Sequence, residues 1–333
     1  MEYNMKLHEN KTLYRQSIQY TADLLKIPPV YVEKDYWVTY ALFTIFSNEI
    51  GTDTVFKGGT ALSKCFNLIE RFSEDIDLVM LRRDAETNTQ LTNKIKKISK
   101  VVSEVLPEIQ VSGLTQKMGM NRKTAHSYTR EFIGNLGQVR DFLVVEATLL
   151  GYHEPFTKKL INSFVGEMMI NNGQNTIAEA NSLMPFEVRV LEPVRTICEK
   201  IMSLVRFSYS NDPVADLKNK IRHLYDLNQL LIQDEFAQFF DSQDFDRMLL
   251  KVANDDIVSF KNNNAWLKNH PSDALIFINA DKIWPELKAT YNGQFKNLIY
   301  GELPKEMVIF ETLIKIKERL KTVAWTINLD SES

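Results

Sequence analysis

The 333-residue chain has only two cysteines, Cys65 and Cys198, five histidines and no surplus of positive charge. The two thiols lack ligand-like spacing and fall on apolar helical stripes, where cysteine behaves as a small hydrophobe, so neither a disulfide framework nor a metal role is expected of them. The histidines are scattered without zinc-like spacing. A net charge of −3 and a pI near 6.0 remove the global basic field that announces a nucleic-acid binder, leaving room only for a local basic groove. No stretch reaches membrane-spanning length, and the first eleven residues contain no signal-peptide core, so a cytoplasmic protein is expected. Low-complexity linkers and repeats are also missing. What is there is ample apolar material: 44% hydrophobic residues over a length that suggests two domains.

The most informative segment is Val55-Phe56-Lys57-Gly58-Gly59-Thr60-Ala61-Leu62-Ser63-Lys64, followed by Arg71-Phe72-Ser73-Glu74-Asp75-Ile76-Asp77-Leu78. An apolar run ends in two glycines, which tolerate positive φ and let backbone N–H groups approach a ligand closely. Leu62, Cys65, Phe66 and Ile69 then recur at helical spacing, so the glycines open a helix whose N-terminus favours an anion such as phosphate. Asp75 and Asp77 alternate with Ile76 and Leu78, so a strand points both carboxylates the same way, toward a site that attracts Mg²⁺. Either half alone is commonplace in turns and edge strands; the conjunction is the order that nucleotide handling requires.

The rest of the chain predicts an α+β protein. Two helices broken at Pro28-Pro29 span about 7–48, with Val38, Ala41, Leu42, Ile45 and Phe46 as the apolar stripe of the second. Strands are expected at Thr54 to Lys57, Asp75 to Met80, Ala125 to Phe132, Phe142 to Leu150 and Phe186 to Leu191, with a helix from about Thr87 to Val105. From Pro193 onward helical spacing takes over, with Val194, Ile197, Cys198, Ile201 and Val205 as a buried stripe and Thr196, Lys200 and Ser203 on another face. The expected organisation is therefore a mixed-sheet domain over 1–192 with N-terminal helices, and a helical-bundle domain over 193–333. Glu146 is the one charge in the apolar run Phe142 to Leu150, and Arg222, His223 and Asp226 adjoin on a helix, where a plain salt bridge would explain them.

These motifs, with Glu33-Lys34-Asp35-Tyr36-Trp37-Val38, Thr196-Ile197-Cys198-Glu199-Lys200 and Arg222-His223-Leu224-Tyr225-Asp226-Leu227, resemble in order and approximate spacing the AbiEii/AbiGii-type toxins. Those are polymerase β-like nucleotidyltransferases of toxin–antitoxin and abortive-infection systems. The resemblance covers roughly 30–230 and continues more loosely to the end. Gly58-Gly59 and the long gap before Asp75 fit this branch, whereas the wider superfamily usually has Gly-Ser and a shorter gap.

The resemblance implies a fold, an activity and a set of roles. Glu146 would complete a metal set with Asp75 and Asp77; the alternative is an edge-strand glutamate paired with a lysine or arginine. Gly58, Gly59 and Thr60, with Ser73 and Lys64 as further candidates, would hold the β- and γ-phosphates of an NTP, and a two-metal Mg²⁺ site would serve attack on the α-phosphorus. Lys200 would bind or orient the phosphates, the alternative being a solvated lysine. Asp226 would be a functional carboxylate that assists the attacking hydroxyl or organises Lys200. The implied acceptor is the 3′ end of tRNA, and the implied partner is an antitoxin encoded nearby. A small-molecule nucleotidyltransferase and a non-enzymatic nucleotide-binding protein remain alternatives. Segments such as Trp284 to Lys288 and Lys315 to Trp325 read as core aromatics and a solvated helix face.

Overall fold

A computed structural model describes residues 5–83, 85–118, 120–133, 139–149 and 153–329. The chain divides into two compact units. The first gathers residues up to Asn67, Phe72–Leu149 and Phe156–Leu191; the second gathers Leu68–Arg71, the described part of the segment ending at Pro155, and the chain from Glu192.

In the first unit, Asn10 caps α1 (Lys11–Leu25) by accepting from the Leu13 N–H at 3.1 Å. Pro29 sits in the opening turn of α2 (Pro29–Phe46), where its missing N–H costs nothing. α2 is buried on nearly every side, including the consecutive charges Glu33, Lys34 and Asp35, which marks it as a helix inside a core. β1 (Thr54–Lys57), α3 (Gly58–Phe66) and β2 (Asp75–Met80) follow, and α4 (Asn88–Ser103) starts from a reciprocal cap between Thr87 and Gln90. β3 (Glu108–Ile109), β4 (Gln116–Met118), β5 (Asn121–His126), β6 (Leu143–Thr148), β7 (Phe156–Ile161), α5 (Phe164–Asn171), α6 (Asn175–Ala180) and β8 (Phe186–Leu191) complete the unit.

Among the described residues the sheet runs β3-β5-β6-β2-β1-β8-β7, with β4 added on β5. β2 pairs parallel with β6 and β1 parallel with β8, while β1–β2, β5–β6 and β7–β8 are antiparallel, so the sheet is mixed as expected. The central strands supply the core through Val55, Phe56, Ile76, Leu78, Val145 and Val190, all buried.

Two strand expectations shift. The one placed at Ala125 to Phe132 is found at Asn121–His126, because the polar Asn121-Arg122-Lys123 pairs with β6 and hides its alternation. The one placed at Phe142 to Leu150 is Leu143–Thr148; Leu150 lies outside the described residues. β7 was not anticipated, since Lys158, Lys159 and Leu160 are all exposed on a strand at the end of the sheet order.

The second unit is helical: α7 (Pro193–Phe207), α8 (Pro213–Asn219), α9 (Ile221–Leu231), α10 (Asp234–Asp241), α11 (Gln243–Ser259), α12 (Leu275–Ile278), α13 (Ala280–Thr290) and α14 (Glu306–Leu320). Its share of the chain before β2 is fastened by Tyr300, whose N–H donates to the Glu70 carbonyl at 3.1 Å and whose hydroxyl donates to the Ile69 carbonyl at 3.2 Å. Trp266 and Trp284 are core residues and Lys315 and Lys321 are exposed. On α7 burial is wider than the apolar stripe, because Arg195, Thr196 and Lys200 are buried too, while Val194 is only half-buried. Cys65 and Cys198 are free and buried; burial pushes the Cys65 thiol up to about 12 and the Cys198 thiol higher still. No helix among the described residues is long and apolar enough to cross a membrane.

Candidate active site

Strand register places the acidic residues. Asp77 on β2 lies opposite Glu146 on β6 and Lys57 on β1, and Glu146 lies opposite Lys123 on β5. Side chains at matched positions project to one face, so Lys57, Asp77, Glu146 and Lys123 form a row across the sheet, with Asp75 two residues along β2 on the same side. Lys123 bonds Glu146 at 2.9 Å, Asn121 donates to the other Glu146 oxygen at 3.0 Å, and Arg140 reaches Asp75 at 2.6 Å. Burial first, then Asp75 and Glu146, push Asp77 up to about 7 against the pull of Lys57 and Lys123. Burial works to lower Lys123, but the three carboxylates outweigh it and raise its pKa.

The phosphate-loop candidates sit at the start of α3. Gly58 has φ +82, a conformation that favours glycine, and a Cβ there would fit only if the Asp77 carboxylate moved. Lys57, at the N-cap, gives no side-chain cap, so the opening N–H groups of α3 have no side-chain partner from that residue. Thr60 is buried and donates to the Asp75 carbonyl at 2.6 Å, with the Ser73 hydroxyl 3.0 Å away; this ties the helix to the lead-in of β2. Lys64 points elsewhere: its ammonium is buried against Asp35 at 2.5 Å.

The acidic-basic triplet on α2 has a clear task. Glu33 accepts from the Glu131 and Phe132 N–H groups at 2.8 and 3.2 Å; Lys34 donates to the Arg140 and Phe142 carbonyls at 2.8 and 2.5 Å and pairs with Glu74 at 3.1 Å. Asp35 holds Lys64 and accepts from the Phe164 N–H at 2.8 Å. Buried charges require such partners, and here they connect α3, α5 and the segment before β6 to one central helix. Burial lowers the Lys34 pKa and raises those of Glu33 and Glu74.

In the second unit Asp226 is fully buried. Arg71 grips it in bidentate fashion at 2.6 and 2.8 Å, and Lys200 reaches it at 2.7 Å. Burial works to raise the Asp226 pKa, but the two cations hold it well below the usual carboxylate range. Beside them His223, whose Nδ1 is enclosed without a hydrogen bond, is kept neutral by burial and by Lys200. Arg71 has no chemical signal in the sequence beside the acidic motif, since its partner lies 155 positions away. Arg140 and Lys123 lacked any sequence signal beyond their charge.

A helix opened by a glycine at positive φ is thus set against a strand row of carboxylates in a mixed sheet. The chain belongs to the AbiEii family: the family model described as nucleotidyl transferase AbiEii toxin, type IV toxin–antitoxin system, matches residues 40–321. It is thus a nucleotidyltransferase of the toxin class, and membership implies an NTP substrate and an antitoxin partner. Its fold is similar to that of MenT4, a nucleotidyltransferase toxin from Mycobacterium tuberculosis, with 19% identity, a TM-score of 0.51 and coverage of 92% of this chain and 85% of that one. No curated protein matches the chain.

Enzymes of this class generally use a divalent cation. Among the described residues no three acidic, histidine or cysteine side chains are drawn together as a ready-made cage. The donor chemistry nevertheless suits a hard cation: carboxylate oxygens of Asp75, Asp77 and Glu146 share one face, and burial, with the repulsion of the other two added to it, raises Asp77.

Proposed function

We propose that the protein transfers NMP from an NTP to the 3′ end of tRNA, and so inhibits translation and growth until its antitoxin counters it. The observation that carries the transfer chemistry is the Asp77–Glu146 register, which sets two carboxylates side by side with Asp75 next to them. The tRNA acceptor rests on the family resemblance.

In this reading, Asp75, Asp77 and Glu146 hold Mg²⁺, which when bound neutralises phosphate charge and favours the ionised acceptor hydroxyl. Gly58 and Gly59 present backbone N–H groups to the β- and γ-phosphates, and Gly58 lets the chain pass close to Asp77. Thr60 fixes α3 to β2 through the Asp75 carbonyl, keeping phosphate loop and carboxylates in register, and Ser73 adds a hydroxyl beside it. The acceptor hydroxyl gives up its proton to solvent, its oxygen forms a bond to the α-phosphorus, and the bond to pyrophosphate breaks. The family pattern gives Lys200 a phosphate-orienting role, and within the second unit its ammonium is paired with Asp226 at 2.7 Å. Asp226, with both oxygens engaged, acts by holding that lysine rather than by touching the acceptor.

The test is incubation with Mg²⁺, total bacterial tRNA and each α-labelled NTP in turn, with Asp75→Ala alongside. Label at the tRNA 3′ end from wild type alone supports the reading and names the nucleotide. Unlabelled tRNA with continued pyrophosphate release would move the acceptor to a small molecule, and equal labelling by Asp75→Ala would sink the site.

A further inference from the structure

We propose that Arg140 is a positioning residue that gives up Asp75 as a divalent cation binds and takes the phosphates of the incoming nucleotide instead. The inference rests on the reading of Asp75 as a metal ligand and concerns what competes for it.

The root of Arg140 is fixed. Its N–H donates to both oxygens of Glu74 at 3.0 and 3.2 Å, and its carbonyl accepts from Lys34 at 2.8 Å; Glu74 and Lys34 are themselves paired and buried. The guanidinium is different. The side chain is 31% exposed, and its guanidinium crosses to Asp75, 2.6 Å away, with a weaker contact of 3.4 Å to Glu74. Since the backbone is already held by two buried groups, the half-exposed ion pair to Asp75 is not what anchors this segment. A pair with that exposure adds little to stability.

Arg140 engages one Asp75 oxygen, and a divalent cation bound to the same carboxylate both weakens that bond by drawing on its charge and repels the guanidinium at close range. Arg140 therefore has to leave Asp75 when the cation arrives. Glu74 and Lys34 keep its root in place, so the freed head stays beside the carboxylate row. The anion delivered there with the metal is the triphosphate, and arginine matches phosphate oxygens with paired N–H donors. Metal alone must displace Arg140 without compensation, whereas metal with triphosphate offers it a new partner. Arg140 thereby makes the two ligands bind cooperatively.

The experiment follows free Mn²⁺ by electron paramagnetic resonance in titrations of wild type, Arg140→Met, Arg140→Lys and Asp75→Asn, without and with inorganic tripolyphosphate, a probe independent of base preference. Arg140→Met should bind Mn²⁺ alone several-fold more tightly and tripolyphosphate with Mn²⁺ roughly tenfold more weakly, the scale of one lost charge-assisted pair. Arg140→Lys, which keeps the charge but not the paired donors, should show both shifts at reduced size, and it carries the test should the methionine variant fold poorly. Opposite shifts for the two ligands are what a purely structural arginine would not produce. Mn²⁺ affinity that is unchanged or weaker in both Arg140 variants, or unchanged tripolyphosphate affinity, overturns the proposal. If Asp75→Asn binds Mn²⁺ like wild type, the failure lies instead in the assignment of Asp75 as a ligand.

Discussion

The two units each hold a carboxylate next to cations, and they treat it in opposite ways. In the helical unit Asp226 is sealed at 0% exposure, gripped by Arg71 and Lys200, and held as a permanent anion. On the sheet, Asp75 and Glu146 remain 27% and 29% exposed, and Asp77 is pushed up to about 7 by burial and by its own kind. A buried pair with every oxygen used is architecture, because removing either partner leaves an uncompensated charge. A crowded, part-exposed carboxylate row is instead a place where an arriving cation relieves repulsion.

That contrast can be broken by mutation. Glu146→Gln keeps shape and removes the charge, so transfer should fall by about 10³-fold or more, comparable with losing a preorganised electrostatic contact, while the melting temperature stays within a few degrees. Labelled-nucleotide transfer and a thermal melt on one preparation check both halves. Asp226→Ala should act first on stability, with about 3–5 kcal/mol lost in urea unfolding, and protein that still folds should also lose transfer because Lys200 is no longer held. Gly58→Ala forces an alanine into the left-handed region and against Asp77, costing about 1–2 kcal/mol. By displacing that carboxylate it should also lower kcat by about 10²-fold, which steady-state kinetics would show.

The smallest effect concerns pH. His126 in the sheet unit and His223 in the helical unit are both held neutral, with pKa values lowered chiefly by burial. The unfolded chain therefore takes these protons first, so their contribution is complete above about pH 6.5 and is lost as pH falls through that value. His126 is fully buried between the Leu106 carbonyl at 3.0 Å and Thr124 at 2.9 Å. His126→Gln should flatten the decline below pH 6.5, seen in urea midpoints at pH 7.5, 6.5 and 5.5. An unchanged slope would place the acid sensitivity elsewhere.

Much of the fold was legible because local pattern and burial coincide. β1, β2 and β8 lie at the expected residues, since each is a short apolar or alternating run bounded by glycine, proline or polar residues, and α7 begins at Pro193 because proline suits a first turn. β5 and β7 were displaced or missed for a shared reason: Arg122-Lys123 and Lys158-Lys159 put charge where alternation is read. For the candidate site, Asp75, Asp77 and the glycine pair announced themselves through spacing. Their partners did not, because Arg140 meets Asp75 across 65 positions and Arg71 meets Asp226 across 155, and such pairings are set by packing. The α2 triplet was ambiguous for the opposite reason. Acidic residues near a helix start are common, and only burial shows that Glu33, Lys34 and Asp35 are all structural ties.

The most direct test of the division between a chemical and an architectural carboxylate is pyrophosphate release by Asp77→Ala, measured with Mg²⁺, NTP and tRNA on protein whose melting temperature has been recorded. The account predicts no release above background from a protein at least as heat-stable as wild type, because the substitution removes both a metal ligand and a repelling charge. Release at the wild-type rate from such a protein would contradict it.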